Sequence, residues 1–158
     1  MRMKEDHMLN GQLKPGYNIQ VGTENNFVIG YDVFPNPTDT RTLIPHLENV
    51  MKRLGCKFKT VIADAGYGSE ENYDYLEEKE ITGAIKYSTY EKETKRSFKK
   101  KAFNPENWKY DAEQKEYTCP CGNPVPYKRT VTKKNHSGYE QVLDVYQCDN
   151  CEGCPFRE

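Results

Sequence analysis

The chain has 158 residues, with 23 lysines and arginines against 24 aspartates and glutamates, for a formal net charge of -1. That balance excludes a global field able to gather nucleic acid or membrane lipid, and no apolar run approaches the roughly 20 residues that span a bilayer. A mean hydropathy of -0.97 with 35% hydrophobic residues points to a surface-rich or partial domain. The opening MRMKEDHMLNG carries no apolar leader-like run. A cytoplasmic setting is therefore expected, where six cysteines read as metal ligands more readily than as disulfides.

Residues 1–16 are polar and end in the turn signal Lys14-Pro15-Gly16. Tyr17 to Thr23 alternates, with Tyr17, Ile19 and Val21 on one face and Asn18, Gln20 and Gly22 on the other. That period predicts a strand. Glu24-Asn25-Asn26 predicts a turn, and Phe27 to Phe34 a second strand, so the pair reads as a hairpin. In TDTRTLIPHLENVMKRLG, the residues Leu43, Ile44, Leu47, Val50, Met51 and Leu54 share one helical face. Thr38, Asp39 or Thr40 is placed to cap that helix, Pro45 fits only its first turn, and Gly55 suits its left-handed C-terminal position.

Lys59 to Ala63 is a short, continuously apolar strand of the kind buried on both faces. Ser69 then offers an N-cap, Glu70 and Glu71 a favourable first turn, and Tyr73, Tyr75 and Leu76 an apolar stripe. That helix ends near Glu80, and residues 81–87 read as a further strand. The order β-β-α-β-α-β defines a mixed α/β layer. Residues 86–101, KYSTYEKETKRSFKKK, hold seven lysines or arginines against two glutamates, with Tyr87, Tyr90 and Phe98 interleaved. They read as a linker or a basic arm, in which Lys92, Lys95, Arg96, Lys99, Lys100 and Lys101 can neutralise phosphates while the rings stack on bases. A solvated flexible face is the plainer alternative. The expected domains are 1–87, a linker at 88–102, and a cysteine-rich β module at 103–158 with strands near 125–132 and 139–147.

Asp64 follows the buried strand directly. It is either a turn aspartate or a metal ligand at the carboxyl edge of a sheet, where functional groups collect. A carboxylate there suits Mg²⁺ or Mn²⁺, but a two-metal site needs further converging acids. Asp32 could lie on the solvent face of its strand, and Asp39 could cap the helix that follows. Either would have to partner Asp64 in a self-sufficient metal hydrolase. In the tail, Cys148-x-x-Cys151 forms a zinc knuckle and Cys119-Pro-Cys121-Gly a shortened one, with Cys154 as a fifth candidate. Joined by a hairpin they would make a zinc ribbon for Zn²⁺; reduced, metal-free cysteines are the alternative. His136 reads as an exposed loop residue. Lys128, Arg129, Lys133 and Lys134 on the hairpin either touch phosphates or form a solvated face.

The stretches LKPGYNIQVGTENNFVIGYDVFPNPTDTRTLIPHLENVMKRLG and VIADAGYGSEENYDYLEEKEI resemble bacterial insertion-sequence transposases of the DDE type. The likeness covers residues 1–87 and continues more loosely into YTCP and CDNCEGCPFRE. It implies a ribonuclease H-like core, here partial, with three acidic residues that bind two divalent metals, cut one DNA strand with water and transfer the 3′-hydroxyl to target DNA. The second acid maps onto Asp64. The first and third map upstream of Met1 and downstream of Glu158, so the resemblance implies an internal fragment, inert by itself. It also implies an alternative thiolate set of Cys119, Cys148, Cys151 and Cys154. A nucleic-acid-binding or interaction module of the zinc-ribbon kind is the competing function. The unpaired sheet edge left by an absent first strand is expected to promote strand pairing or homodimerisation.

Overall fold

The computed structural model describes residues 16–87, 89–101, 104–149 and 151–152. The chain divides into two compact units, Met1–Tyr90 and Glu91–Glu158.

In the first unit, β1 (Asn18–Glu24) and β2 (Phe27–Phe34) form an antiparallel hairpin. Asn25 and Asn26 both take positive φ, 48° and 68°. Asparagine tolerates that conformation, and two such residues match the twist of a tight hairpin. The predicted faces are present but point the other way from a simple amphipathic strand. Gln20 is 2% exposed while Ile19 is 61% exposed. The polar face is inside because its amides find partners there, and a buried polar group is tolerated only on that condition.

Helix α1 (Leu43–Leu54) follows a single 3₁₀ turn, Asp39–Arg41. Pro45 sits in its first turn, and Gly55 ends it at φ 65°. The apolar stripe lies inward, with Leu43, Leu47 and Val50 buried. Asp39 does not cap α1 by its side chain; the turn that carries it is closed by Thr42, whose amide and hydroxyl both donate to the Asp39 carbonyl. β3 (Thr60–Ala63) and β4 (Thr82–Ile85) pair in parallel. Parallel pairing requires a crossover, and α2 (Glu70–Glu78) supplies it. Ser69 caps α2 by accepting from the Asn72 amide at 3.3 Å.

The core is Leu43, Leu47, Tyr75, Leu76 and Ile81, with Val61, Phe58 and Ile85 packed against it. Each fully buried leucine contributes roughly 1.5–3 kcal/mol of transfer free energy. Both helices pack on the inward faces. β3 was expected to be buried on both sides, yet Ile62 is 82% exposed. No helix of the first unit's described residues covers that outer face. Among the described residues the two strand pairs are separate sheets, and a groove between them is lined by β1 (Val21, Thr23), β3 (Val61, Ala63) and α1 (Leu47, Val50).

The second unit holds a four-stranded antiparallel sheet in sequence order: β5 (Lys109–Asp111), β6 (Glu116–Thr118), β7 (Pro124–Lys134) and β8 (Glu140–Tyr146). The last two strands are the expected ones; the three-residue β5 and β6 are too short to show a period. Before the sheet, two single-turn helices, α3 (Tyr90–Glu93) and α4 (Arg96–Lys99), occupy the basic segment. The register Tyr110↔Tyr117↔Val125 and Tyr127↔Tyr146 puts four tyrosines on one face above buried Val125. Tyr146 shares a hydrogen bond with Tyr110, and its phenol is pushed up to about 12. No helix of the described residues is long and apolar enough to cross a membrane.

β2 and α1 lie close together at Gly30, where an added Cβ would lie 2.6 Å from Val50 Cγ2. Gly30→Ala should therefore lower the stability of the first unit by about 1–3 kcal/mol. Urea denaturation measures it, and adding Val50→Ala to Gly30→Ala should recover part of the loss.

Candidate active site

Asp64 sits one residue past β3, and a 3₁₀ turn (Ala65–Tyr67) follows it. Its Oδ1 accepts from the Gly66 amide at 2.7 Å. That bond makes it a turn aspartate, and it also fixes the carboxylate at the strand end. The side chain is exposed, and Oδ2 has no hydrogen bond among the described residues.

Asp39 lies beside it. A Cβ placed on Gly66 would stand 2.9 Å from Asp64 Oδ1 and 3.1 Å from Asp39 Oδ2. Only a residue without a side chain lets these carboxylates share that corner. Asp39 is not free to move: its Oδ1 accepts from Asn18 Nδ2 at 2.6 Å and from Gln20 Nε2 at 3.1 Å. Gln20 Oε1 in turn accepts from the Tyr67 hydroxyl. Burial, then the charges of Asp39 and Asp64, push the Tyr67 phenol up, so it stays a donor.

Asn72 locks the two turns together. It is fully buried, and its Nδ2 donates to the Thr40 carbonyl at 3.0 Å and to the Tyr67 carbonyl at 2.6 Å. One carbonyl belongs to the Asp39 turn and the other to the Asp64 turn. The chain Asn18–Gln20–Asp39 and Tyr67–Asn72–Thr40 therefore ties β1, both turns and α2 around one pair of carboxylates. Sequence reading missed Gln20, Tyr67 and Asn72. The signal available was two amide residues, Gln20 and Asn72, within a strand and a helix that are otherwise read by their apolar faces.

Asp32 belongs elsewhere. It is turned inward, against the expectation of a solvent-facing residue. His46 Nδ1 lies 2.7 Å from its Oδ2, Arg53 and Asn49 donate to its Oδ1, and Arg53 also donates to the Tyr31 carbonyl. Burial pushes the Asp32 carboxyl up, but the hydrogen bonds and charges of His46 and Arg53 outweigh it and hold the pKa below the ordinary value. This ion pair fastens β2 to α1 and is no partner for Asp64. The acidic side chains Asp74, Glu77, Glu78 and Glu80 of α2 and its end are exposed, as expected of a solvated face.

Two carboxylates can hold one hard cation with water completing its shell; a two-metal site needs more. Among the described residues, no group of three or more histidine, cysteine, aspartate or glutamate side chains is placed to hold a metal. That includes Cys119, Cys121, Cys148 and Cys151, so the described thiols do not assemble the expected ribbon site; Cys154 lies outside the described residues. Cys119 Sγ accepts from the Asn123 amide at 3.3 Å. Lys92, Lys95, Arg96, Lys99, Lys100 and Lys101 are all exposed, and among the described residues none forms an ion pair. The hairpin cations differ: Lys134 pairs with Glu140 at 2.6 Å and Lys128 approaches Asp149 at 3.9 Å.

A mixed α/β unit with carboxylates gathered just past the end of a parallel strand defines a class of acid-bearing α/β cores. Within that class, the family model described as Transposase DDE domain matches residues 2–148. The chain belongs to that family of DNA transposases, which use divalent metal ions. No curated protein and no solved structure matches it.

Because the folded pKa of Asp32 is depressed, its pairing stabilises the fold above the unfolded carboxylate value near 4 and is lost as pH falls through the lower folded value. Acid titration of stability should show that loss, and Asp32→Asn should flatten the limb below about pH 4.

Proposed function

We propose that the first unit is a partial ribonuclease H-like core of a DDE-type DNA transposase and that Asp64 is the second of its three metal-binding acids. The observation that carries the reading is a carboxylate pinned through Oδ1 just past the C-terminal end of a parallel strand, its Oδ2 without a hydrogen bond among the described residues. Asp64 would hold Mg²⁺ or Mn²⁺, which in this chemistry polarises a phosphodiester oxygen and activates water. The Gly66 amide orients the carboxylate. Asn72 and Tyr67 hold the turn, and Asp39 adds negative charge while two amides occupy its other oxygen.

Two carboxylates, one of them tied up by amide donors, support the further reading that this chain does not cut DNA alone. Incubation with supercoiled plasmid and Mn²⁺ should leave the plasmid intact. Nicking that disappears in Asp64→Ala would overturn the inert reading. Weak Mn²⁺ binding, followed by loss of the free-ion electron paramagnetic resonance signal, should fall in Asp64→Ala; unchanged binding would remove Asp64 from the metal site.

We read residues 1–87 as this core, 88–102 as a basic linker, and 103–158 as a cysteine-rich β module. The edges of β1 and β3 that carry no strand among the described residues suit pairing with a second copy. Light scattering at rising concentration should show the dimer, and a constant monomer mass would count against it.

A further inference from the structure

We propose that the second unit binds single-stranded DNA in a cleft beside Trp108, with bases stacked on that ring and phosphates held by the lysines around it. The cleft goes beyond the Asp64 reading and lies wholly within the second unit. That the chain belongs to a DNA transposase family bears only on the choice of DNA over RNA.

Lys99, Lys100, Lys101 and Lys109 line the cleft together with Trp108 and Thr118. Its volume is about 500 Å³, enough for a base with its phosphate. The lysines are placed by the fold, not merely clustered in sequence. Asn107 Nδ2 donates to the Lys99 carbonyl at 2.7 Å and to the Lys101 carbonyl at 3.1 Å. Those bonds tie the basic turn to the residue preceding Trp108. Lys109 comes from β5. Four exposed cations thus converge from two elements, and among the described residues none is neutralised by an acid.

Trp108 also joins the cleft to the tyrosine face of the sheet. Its ring lies 6.4 Å from that of Tyr117, which lies 4.7 Å from Tyr110 and 4.8 Å from Tyr146; Tyr146 is 5.9 Å from Tyr127. Tyr110 and Tyr127 remain partly open, at 45% and 40% exposure. An aromatic path that starts in a cationic cleft matches a strand with unpaired bases, because bases inside a duplex present no free ring face. The aromatics first expected to stack are used otherwise. Tyr87 and Tyr90 pack edge to face on each other, and Lys101 lies over Phe98.

Trp108 is the single tryptophan of the chain, so its fluorescence reports the cleft directly. The whole chain is titrated with a thymidine oligomer of about 15 nucleotides and with a duplex of equal length. The single strand should quench Trp108 and bind more tightly than the duplex. With a labelled oligomer read by anisotropy, Trp108→Ala should weaken binding by about fivefold to a hundredfold, and Trp108→Phe should retain most of it. The surface variant Lys99→Gln/Lys100→Gln/Lys101→Gln should lower the slope of log affinity against log salt by about two. Equal or tighter duplex binding, binding without quenching, or an unchanged salt slope overturns the proposal. None of these variants touches Asp64, so failure of the metal reading leaves this test intact.

Discussion

The fully buried side-chain amide of Asn72 is the contact on which the first unit's site depends. Its two N–H groups reach carbonyls from separate turns, and each such bond contributes about 0.5–1.5 kcal/mol net. Their larger consequence is geometric. Strand β1 and the turn after β3 are not hydrogen-bonded as neighbours in a sheet. Side-chain amides do that joining instead: Asn72 from α2, and Gln20 and Asn18 from β1. Two carboxylates are thereby held at one glycine, where their mutual repulsion would otherwise open the loops. The Asn72 oxygen is buried without a hydrogen-bond partner in the described structure, a cost the two donated bonds must exceed.

The same arrangement explains the unusual hairpin. A strand whose polar face is buried needs a fixed set of donors and acceptors opposite it. Asp39, Tyr67, His46 and Arg53 provide that set for Asn18, Gln20 and Asp32. The opposite, apolar face of β1 and β2 is left exposed, as is Ile62 on β3. Parallel strands usually have both faces covered; here the helices of the unit cover one.

In the second unit the stabilising contacts are of another kind. Val125 is its buried apolar residue among those described, and the tyrosine rings on the same face of the sheet pack edge to face on one another. Aromatic pairs in that geometry contribute about 0.5–1.5 kcal/mol beyond area burial. Short loops keep the strands in register. Asp111 accepts from the amides of Glu113 and Gln114, and Asn135 from those of Ser137 and Tyr139.

What the sequence determined by itself was local. The hairpin, α1 with Pro45 and Gly55 at its ends, Ser69 as a cap, and Asp64 just beyond a strand all follow from period and capping chemistry, which act over a few residues. The likeness of the stretches around YNIQ and DAGY to DDE-type transposases was legible in the same way, and the family match over residues 2–148 bears out that resemblance. Three things were decided only in three dimensions. Alternation defines two faces of a strand but not which is buried; the partners of Gln20 and Asp32 chose that. Asp39 read as a helix cap because its neighbour in space, Asp64, is 25 positions away in the chain. Trp108 and the lysines of the preceding turn are joined by an Asn107 amide that no periodicity reports. Each is a polar contact between segments distant in sequence or irregular in structure, and hydrogen bonds of that kind depend on where the folded backbone brings their atoms.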